Sequence, residues 1–152
     1  MKANRTRTSL LIAALLIFWL PAAAQIVLVT EQEAIASRNA PEPLVPKSLP
    51  PPDAPQINVF APDIGAPVKS PTRIEVKFQP VPPAVVRPET FQVRYGTLRL
   101  DITGRITSAS KVTAEGIEVA QASLPKGSHK LLLVIEDSLG RTGERLLQFV
   151  VE

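Results

Sequence analysis

With 152 residues and a hydrophobic fraction of 45%, the chain can bury one ordinary core but is too short for two well-filled ones. The formal charge of +3 does not indicate a nucleic-acid-binding face. Three of the 17 basic residues lie in the first 24 positions, which leaves 14 basic against 14 acidic residues in the rest. The lack of cysteine in the sequence excludes a disulfide framework, a thiol nucleophile and a thiolate metal site.

Residues 1–24 have the three parts of a signal peptide. Basic residues in the first seven positions are followed by an apolar run, 9–20, and then by three alanines, 22–24. This pattern predicts cleavage before Gln25 and a periplasmic or secreted protein. The alternative is an uncleaved anchor in the inner membrane, because no charge lies between positions 8 and 30. The basic residues stay on the cytoplasmic side, so both outcomes place the rest of the chain outside the cytoplasm.

Residues 25–56 are predicted to form a proline-rich spacer. Its prolines at 41, 43, 46, 50, 51, 52 and 55 remove backbone donors, so we expect an extended, solvated, polyproline-like segment. Only the polar run from Thr30 to Arg38 is long enough for a turn or two of helix. We interpret the spacer as a semi-rigid stalk. The alternative is a docking peptide around Leu49 for an aromatic-lined groove.

Residues 57–152 alternate between apolar and polar positions with a period of two, as half-buried strands do. Leu131 to Ile135 is apolar on both faces, so we place it at the centre of a sheet. No segment has a convincing helical period, which indicates an all-β sandwich or barrel. Besides 131–135, strands are predicted at 73–78, 91–95, 98–102, 117–120 and 144–151.

The last two of these strands are joined by a predicted hairpin. Asp137 can cap the turn with its side chain, and Gly140 can adopt a positive φ. A Pro-x-Gly turn at 125–127 leads into the first strand, and Phe149 to Val151 closes the domain. In these features residues 57–152 resemble bacterial Ig-like and cadherin-like domains. The resemblance implies an immunoglobulin-like β-sandwich of about seven strands but hardly any particular function.

The final hairpin is also similar to that of small periplasmic copper-carrying sandwiches. Those proteins hold copper with histidines near the mature N-terminus and in the hairpin, where this chain has Gln25 and Arg141. The metal function therefore does not carry over. No metal or other cofactor is predicted.

Few residues suggest chemistry. His129 is the only histidine and is interpreted as a polar residue at the start of a strand, since a metal site needs three or four ligands. Glu136 and Asp137 are adjacent on or beside a strand, so their side chains diverge. Arg94, Tyr95 and Arg99 can form a stacking or carbohydrate-contact surface; the competing interpretation is an ordinary strand pair, half core and half solvated.

The sequence therefore predicts a non-enzymatic exported module that binds another envelope protein or a glycan, through edge strands or end loops. The alternative is a periplasmic carrier of a small ligand or metal, of the copper type, that lacks the usual ligands. No nucleic-acid partner is expected. Contact with a membrane is expected only if the leader is an uncleaved anchor.

Overall fold

A computed structural model describes residues 25–42 and 51–152. Their elements, in chain order, are β1 (Ile26–Val27), α1 (Glu31–Asn39), β2 (Gln56–Ala61), β3 (Thr72–Gln79), β4 (Val86–Tyr95), β5 (Leu100–Asp101), α2 (Thr103–Thr107), β6 (Gly116–Ser123), β7 (Gly127–Asp137) and β8 (Thr142–Val151). They form two sheets of four strands, so the prediction of an all-β sandwich is confirmed.

The first sheet has the strand order β1-β6-β3-β2, and the second has the order β5-β4-β7-β8. Strand β1 runs parallel to β6, and every other neighbouring pair is antiparallel. The alternation of side chains turns one face of each sheet inward. Phe78 of β3 and Phe91 of β4 contact each other with ring centroids 5.6 Å apart, and a continuous apolar core surrounds them.

The other predicted strands are all present, and β4, β6 and β7 are about twice as long as the sequence indicates, but the segment 98–102 differs. Only Leu100–Asp101 forms a strand. The Asp101 carboxylate accepts a hydrogen bond of 2.8 Å from the Thr103 backbone N–H, and helix α2 begins there. A short side chain that binds the backbone two residues ahead favours a turn over a continued strand.

The largest difference concerns the predicted spacer. Its first part, which we call the N-terminal arm (residues 25–42), is not an extended solvated segment, because it carries β1 and α1. Leu28, Val29 and Ala34 are buried in the common core. Helix α1 begins with a capping box, in which the Thr30 hydroxyl and the Glu33 carboxylate each accept from the other residue's backbone N–H. The boundary at Ile57 is thus wrong for the arm, whose apolar residues precede the first proline after the leader.

The stalk interpretation also changes. Glu42 at the end of the arm forms an ion pair with Lys130 of β7, and Ala54 and Pro55, just before β2, are buried. The chain on both sides of residues 43–50 therefore belongs to the folded body. Those residues do not separate the sandwich from the leader.

Two predicted features lie outside the described residues: the leader, 1–24, and the docking peptide around Leu49. Among the helices of the described ranges, neither is long and apolar enough to cross a bilayer.

A close fit fixes helix α1 on the second sheet. The Ser37 hydroxyl accepts a hydrogen bond of 2.8 Å from the Thr97 backbone N–H. Gly96 precedes this contact with a φ of +65°, and a Cβ added there would lie 1.7 Å from the Ser37 Oγ. A glycine is thus required at position 96 both for its backbone conformation and for the approach of the helix.

Candidate functional site: an apolar patch on the second sheet

Strand β7 carries aliphatic side chains on both faces. Leu131, Leu133 and Ile135 are buried between the sheets, whereas Leu132 and Val134 alternate with them on the outer face and are partly exposed. An antiparallel sheet whose outer face meets water usually places polar residues there. The outer face of this sheet departs from that pattern at its central strand.

The neighbouring strands extend this apolar surface. Leu132 pairs with Leu146 of β8, which is 54% exposed. We call Leu132, Val134 and Leu146 the apolar patch. Outside the patch, its cross-strand partners and the next outward residues along β7 and β8 are all polar: Gln92, Arg94, Lys130, Glu136, Glu144 and Gln148. An apolar centre within a polar rim is the usual anatomy of a protein interface.

The outer face of the first sheet is different. Arg73 forms ion pairs with Glu75 and Glu118, at N–O distances of 3.1 and 2.9 Å. Lys77 adds a longer contact with Glu75, of 3.9 Å, and its Nζ lies 5.3 Å from the centroid of the exposed Phe60 ring. We call these charged residues of β3 and β6 the charge ladder. Such a face is satisfied by its own ion pairs and by water.

Two open grooves border the patch at the end of the sheet where β7 begins. One, of about 490 Å³, lies between the loop at 64–67 and strand β8. The other, of about 380 Å³, lies between the end of α1 and the turn after β4. Ser128 and Lys130 line both grooves. The outer surface is therefore recessed on both sides of the start of β7.

The three residues predicted as a contact surface do not lie on one exposed surface, because Tyr95 is buried. Arg94 reaches the rim of the apolar patch, where its guanidinium donates a hydrogen bond of 2.9 Å to the Gln92 side chain. Tyr95 faces the opposite way and is 1% exposed, so its ring is not free to stack on a ligand. Arg99 lies in the turn after Gly96, exposed, with a φ of +50°. The arrangement is that of the competing interpretation, a strand that is half core and half solvated.

His129 is in the core, which the sequence did not indicate. Its Nε2 lies 2.7 Å from the Pro125 carbonyl oxygen, which can only accept, so Nε2 carries the proton. Nδ1 then accepts from the Tyr95 hydroxyl at 2.9 Å. Burial lowers the pKa of His129, only partly offset by the Pro125 carbonyl, and the nearby Arg38 charge lowers it further. A neutral, fully bonded imidazole stacked on Phe149 is a structural element.

Asp137 caps the hairpin as predicted. One carboxylate oxygen accepts from the backbone N–H groups of Leu139 and Arg141, and the other accepts from the Arg141 guanidinium at 2.7 Å. Burial acts to raise the pKa of Asp137, but these hydrogen bonds outweigh it and hold the pKa below its usual value. Gly140 has a φ of +74°, as the turn requires. Glu136 lies on the outer face, 3.8 Å from Arg87.

Within residues 25–42 and 51–152, no three histidine or carboxylate side chains are grouped so that they could hold a metal ion. The sequence matches no protein-family model, and no curated protein shows significant similarity to it.

Sequence reasoning found Arg94 at the rim but missed the apolar patch itself. The signal was present in Leu131 to Ile135, which is apolar on both faces. We interpret such a run as a strand at the centre of a sheet, and β7 does lie between β4 and β8. A central position in a sheet shields the backbone and not the outer face, so Leu132 and Val134 remain accessible.

Proposed function

We propose that this protein is an exported, non-enzymatic binding module that contacts another protein of the cell envelope through the apolar patch. The observation that carries the proposal is the aliphatic cluster of Leu132, Val134 and Leu146 on the outer face of the second sheet, surrounded by a polar rim. Exposed clusters of this kind, rimmed by polar residues, are typical of interaction sites.

The composition of the rim supports a protein partner more than a glycan. No aromatic ring lies among the patch residues or in their cross-strand rows, and the exposed Phe60 is on the other sheet. The rim offers a cation at Arg94 and an anion at Glu144, on opposite sides of the patch. A partner with an apolar anchor and matching charges would be bound in one orientation.

Export and the lack of catalysis are separate parts of the proposal. Export depends on the sequence of the leader. The non-enzymatic role is supported by His129, the only histidine in the sequence, because both ring nitrogens are engaged inside the core and leave no free imidazole at the surface. The Ig-like or cadherin-like relationship stays a prediction from the closing hairpin.

The alternative, a carrier of a small ligand, is favoured by one observation. The groove of about 490 Å³ beside β8 has the volume of a small-molecule site, and Ser128, Lys130 and Gln148 supply polar groups to its wall. It is an open groove, however, and it borders the patch. A protein partner that occupies the patch would cover it as well.

Binding to envelope fractions tests the proposal. The mature protein is immobilised and exposed separately to detergent-solubilised envelope proteins and to insoluble envelope glycan. We expect one stoichiometric protein partner, lost in the double variant Leu132→Lys, Leu146→Lys. The matched control is Lys77→Glu, which changes a charge on the other outer face and should retain the partner. Thermal melts establish that both variants are folded.

Retention of the partner by the double variant would show that the patch is not the contact. Binding to the glycan alone, unchanged in the double variant, would contradict a protein partner.

A further inference from the structure

The folded body begins almost immediately after the predicted processing site. The predicted cut lies between Ala24 and Gln25, and Ile26 already pairs with Ala122 of β6. The Leu28 backbone N–H donates a hydrogen bond of 3.0 Å to the Ser123 carbonyl. Only Gln25, one Cα-to-Cα step of about 3.8 Å, separates the predicted cut from the first paired residue.

Contacts along the whole arm hold it in place. Glu33 and Arg105 of α2 form a bidentate ion pair with N–O distances of 2.8 and 2.6 Å. The same guanidinium donates a hydrogen bond of 2.8 Å to the Leu28 carbonyl. The Arg105 guanidinium, together with the Thr30 backbone N–H and hydroxyl, lowers the pKa of Glu33 to about 2, so the pair stays charged in any mildly acidic compartment. Leu28 and Ala34 are both fully buried beneath it.

We propose that the docked arm protects the Ala24–Gln25 bond, so that the leader can be removed only before the arm docks or while it is undocked. The inference rests on the export part of the proposed function. Cleavage adds water across this amide, leaving a carboxylate on Ala24 and an amine on Gln25. A peptidase must hold extended chain on both sides of the bond, and on one side that chain is already a strand of the first sheet. Proteolysis of a protected site follows the population of the open form.

The order of leader cleavage and arm docking then decides whether the sandwich is released or stays attached to the leader. If cleavage comes first, the arm docks afterwards and the sandwich is released. If the arm docks first, the leader is removed only as fast as the arm opens, and until then the sandwich is attached directly to it. No spacer intervenes, because residues 43–50 lie beyond the arm in the chain.

Purified full-length chain in detergent micelles, treated with a bacterial signal peptidase, tests this inference. The informative variant is Ala34→Asp, which places a charge at a fully buried position of α1. Its matched control is Ala36→Asp, at an exposed position two residues away on the same helix. We expect Ala34→Asp to be cleaved at least tenfold faster than the wild type, and Ala36→Asp to be cleaved at the wild-type rate.

Two further variants separate opening of the arm from unfolding of the whole domain. Arg105→Gln removes the ion pair without creating a buried charge and should also accelerate cleavage. Leu133→Ala weakens the core away from the arm and should not. Equal acceleration by Arg105→Gln and Leu133→Ala would overturn the inference, because opening would then be global.

The remaining outcomes distinguish this inference from the export proposal. If Ala34→Asp and the wild type are cleaved rapidly and equally, the docked arm gives no protection and the inference is wrong, while the leader remains a peptidase substrate. If no variant is cleaved at all, the leader is not such a substrate, and the export proposal fails together with the inference.

Discussion

The two outer faces of the sandwich have similar backbones and different side chains. On the first sheet, the two cations Arg73 and Lys77 balance the two anions Glu75 and Glu118 in the charge ladder. On the second sheet, the corresponding central position is taken by Leu132 and Val134, with Leu146 beside them. The charged side chains of the ladder interact favourably with water and with one another. An aliphatic cluster is removed from water only when another surface packs against it. The difference supports the proposal that a partner binds the outer face of the second sheet and not that of the first.

The largest expected effect on stability comes from a buried side chain of the second sheet. Leu133→Ala, on the inner face of β7, should lower the free energy of unfolding by about 2 to 5 kcal/mol, through lost burial and an unfilled cavity. Leu132→Ala, one residue away on the outer face, should cost less than about 1 kcal/mol. Urea denaturation measures both. An equal loss for the two variants would mean that the outer face is covered in the isolated protein, and the comparison of the two faces would fail.

Protonation of the core gives the next effect. Burial lowers the pKa of His129 in the folded protein, whereas the same side chain in the unfolded chain keeps its ordinary pKa of about 6.5. Below pH 6.5 the unfolded state therefore binds more protons than the folded state. Stability is therefore fully present above pH 6.5 and falls as the pH drops toward the folded-state pKa, by at most about 1.4 kcal/mol per pH unit. Denaturation midpoints between pH 5 and 7 test this. Carboxylates such as Glu33, whose pKa is 4.5 in its ordinary state, titrate mainly below this window.

The double variant Tyr95→Phe, His129→Leu is the control for that titration, since it removes both partners of the buried hydrogen bond. Its stability should be independent of pH between 5 and 6.5. If the stability of the double variant still fell with decreasing pH, another group would be responsible for the proton uptake, and His129 would not cause the pH dependence.

A smaller effect concerns the surface alone. Leu146→Lys should leave the melting midpoint unchanged within a degree or two, because its side chain is already half exposed. It should, however, reduce the fluorescence of an apolar dye bound to the native protein by about half, since the patch loses its most exposed member. Phe60→Lys, on the other sheet, is the matched control. A larger loss of dye binding in that control would show that the dye binds mainly to the first sheet, and that the main apolar surface lies there.

The smallest effect belongs to the charge ladder. Arg73→Gln removes two exposed ion pairs, whose side chains are screened by water. The melting midpoint should stay within about 1 °C of the wild type at low salt, and the difference should vanish at high salt. A drop of several degrees would show that the ladder stabilises the fold.

The sequence predicts most of the second sheet because its strands follow local rules. Alternation in β4 and β8 is a property of neighbouring residues, and so is the Asp137 turn with Gly140. The arm was misjudged for the opposite reason. The Thr30–Glu33 capping box is a local signal for helix α1, but it does not show that the arm is buried. Leu28 becomes a core residue only through the parallel pairing of β1 with β6, some 95 positions along the chain. A contact between residues so far apart in the chain produces no periodic pattern of apolar residues from which it could be predicted.

The candidate site was only partly predictable for a related reason. Alternation assigns Tyr95 and Arg94 to opposite faces but does not say which neighbours they meet. His129 is polar by type, and its burial depends on the Tyr95 hydroxyl and the Pro125 carbonyl, which only the folded chain brings together. The apolar patch likewise needs the register between β7 and β8 before Leu132 and Leu146 become neighbours.

The fit between Ser37 and Gly96 has an evolutionary consequence. Any side chain at position 96 would occupy the space of the Ser37 hydroxyl, so the two positions are not free to change independently. In a lineage that retains the docked arm, position 96 should remain glycine wherever position 37 is serine or larger. A lineage that has lost the arm would be released from the steric part of that constraint but not from the positive φ, so asparagine, which tolerates this backbone conformation better than alanine, would be its mark at position 96.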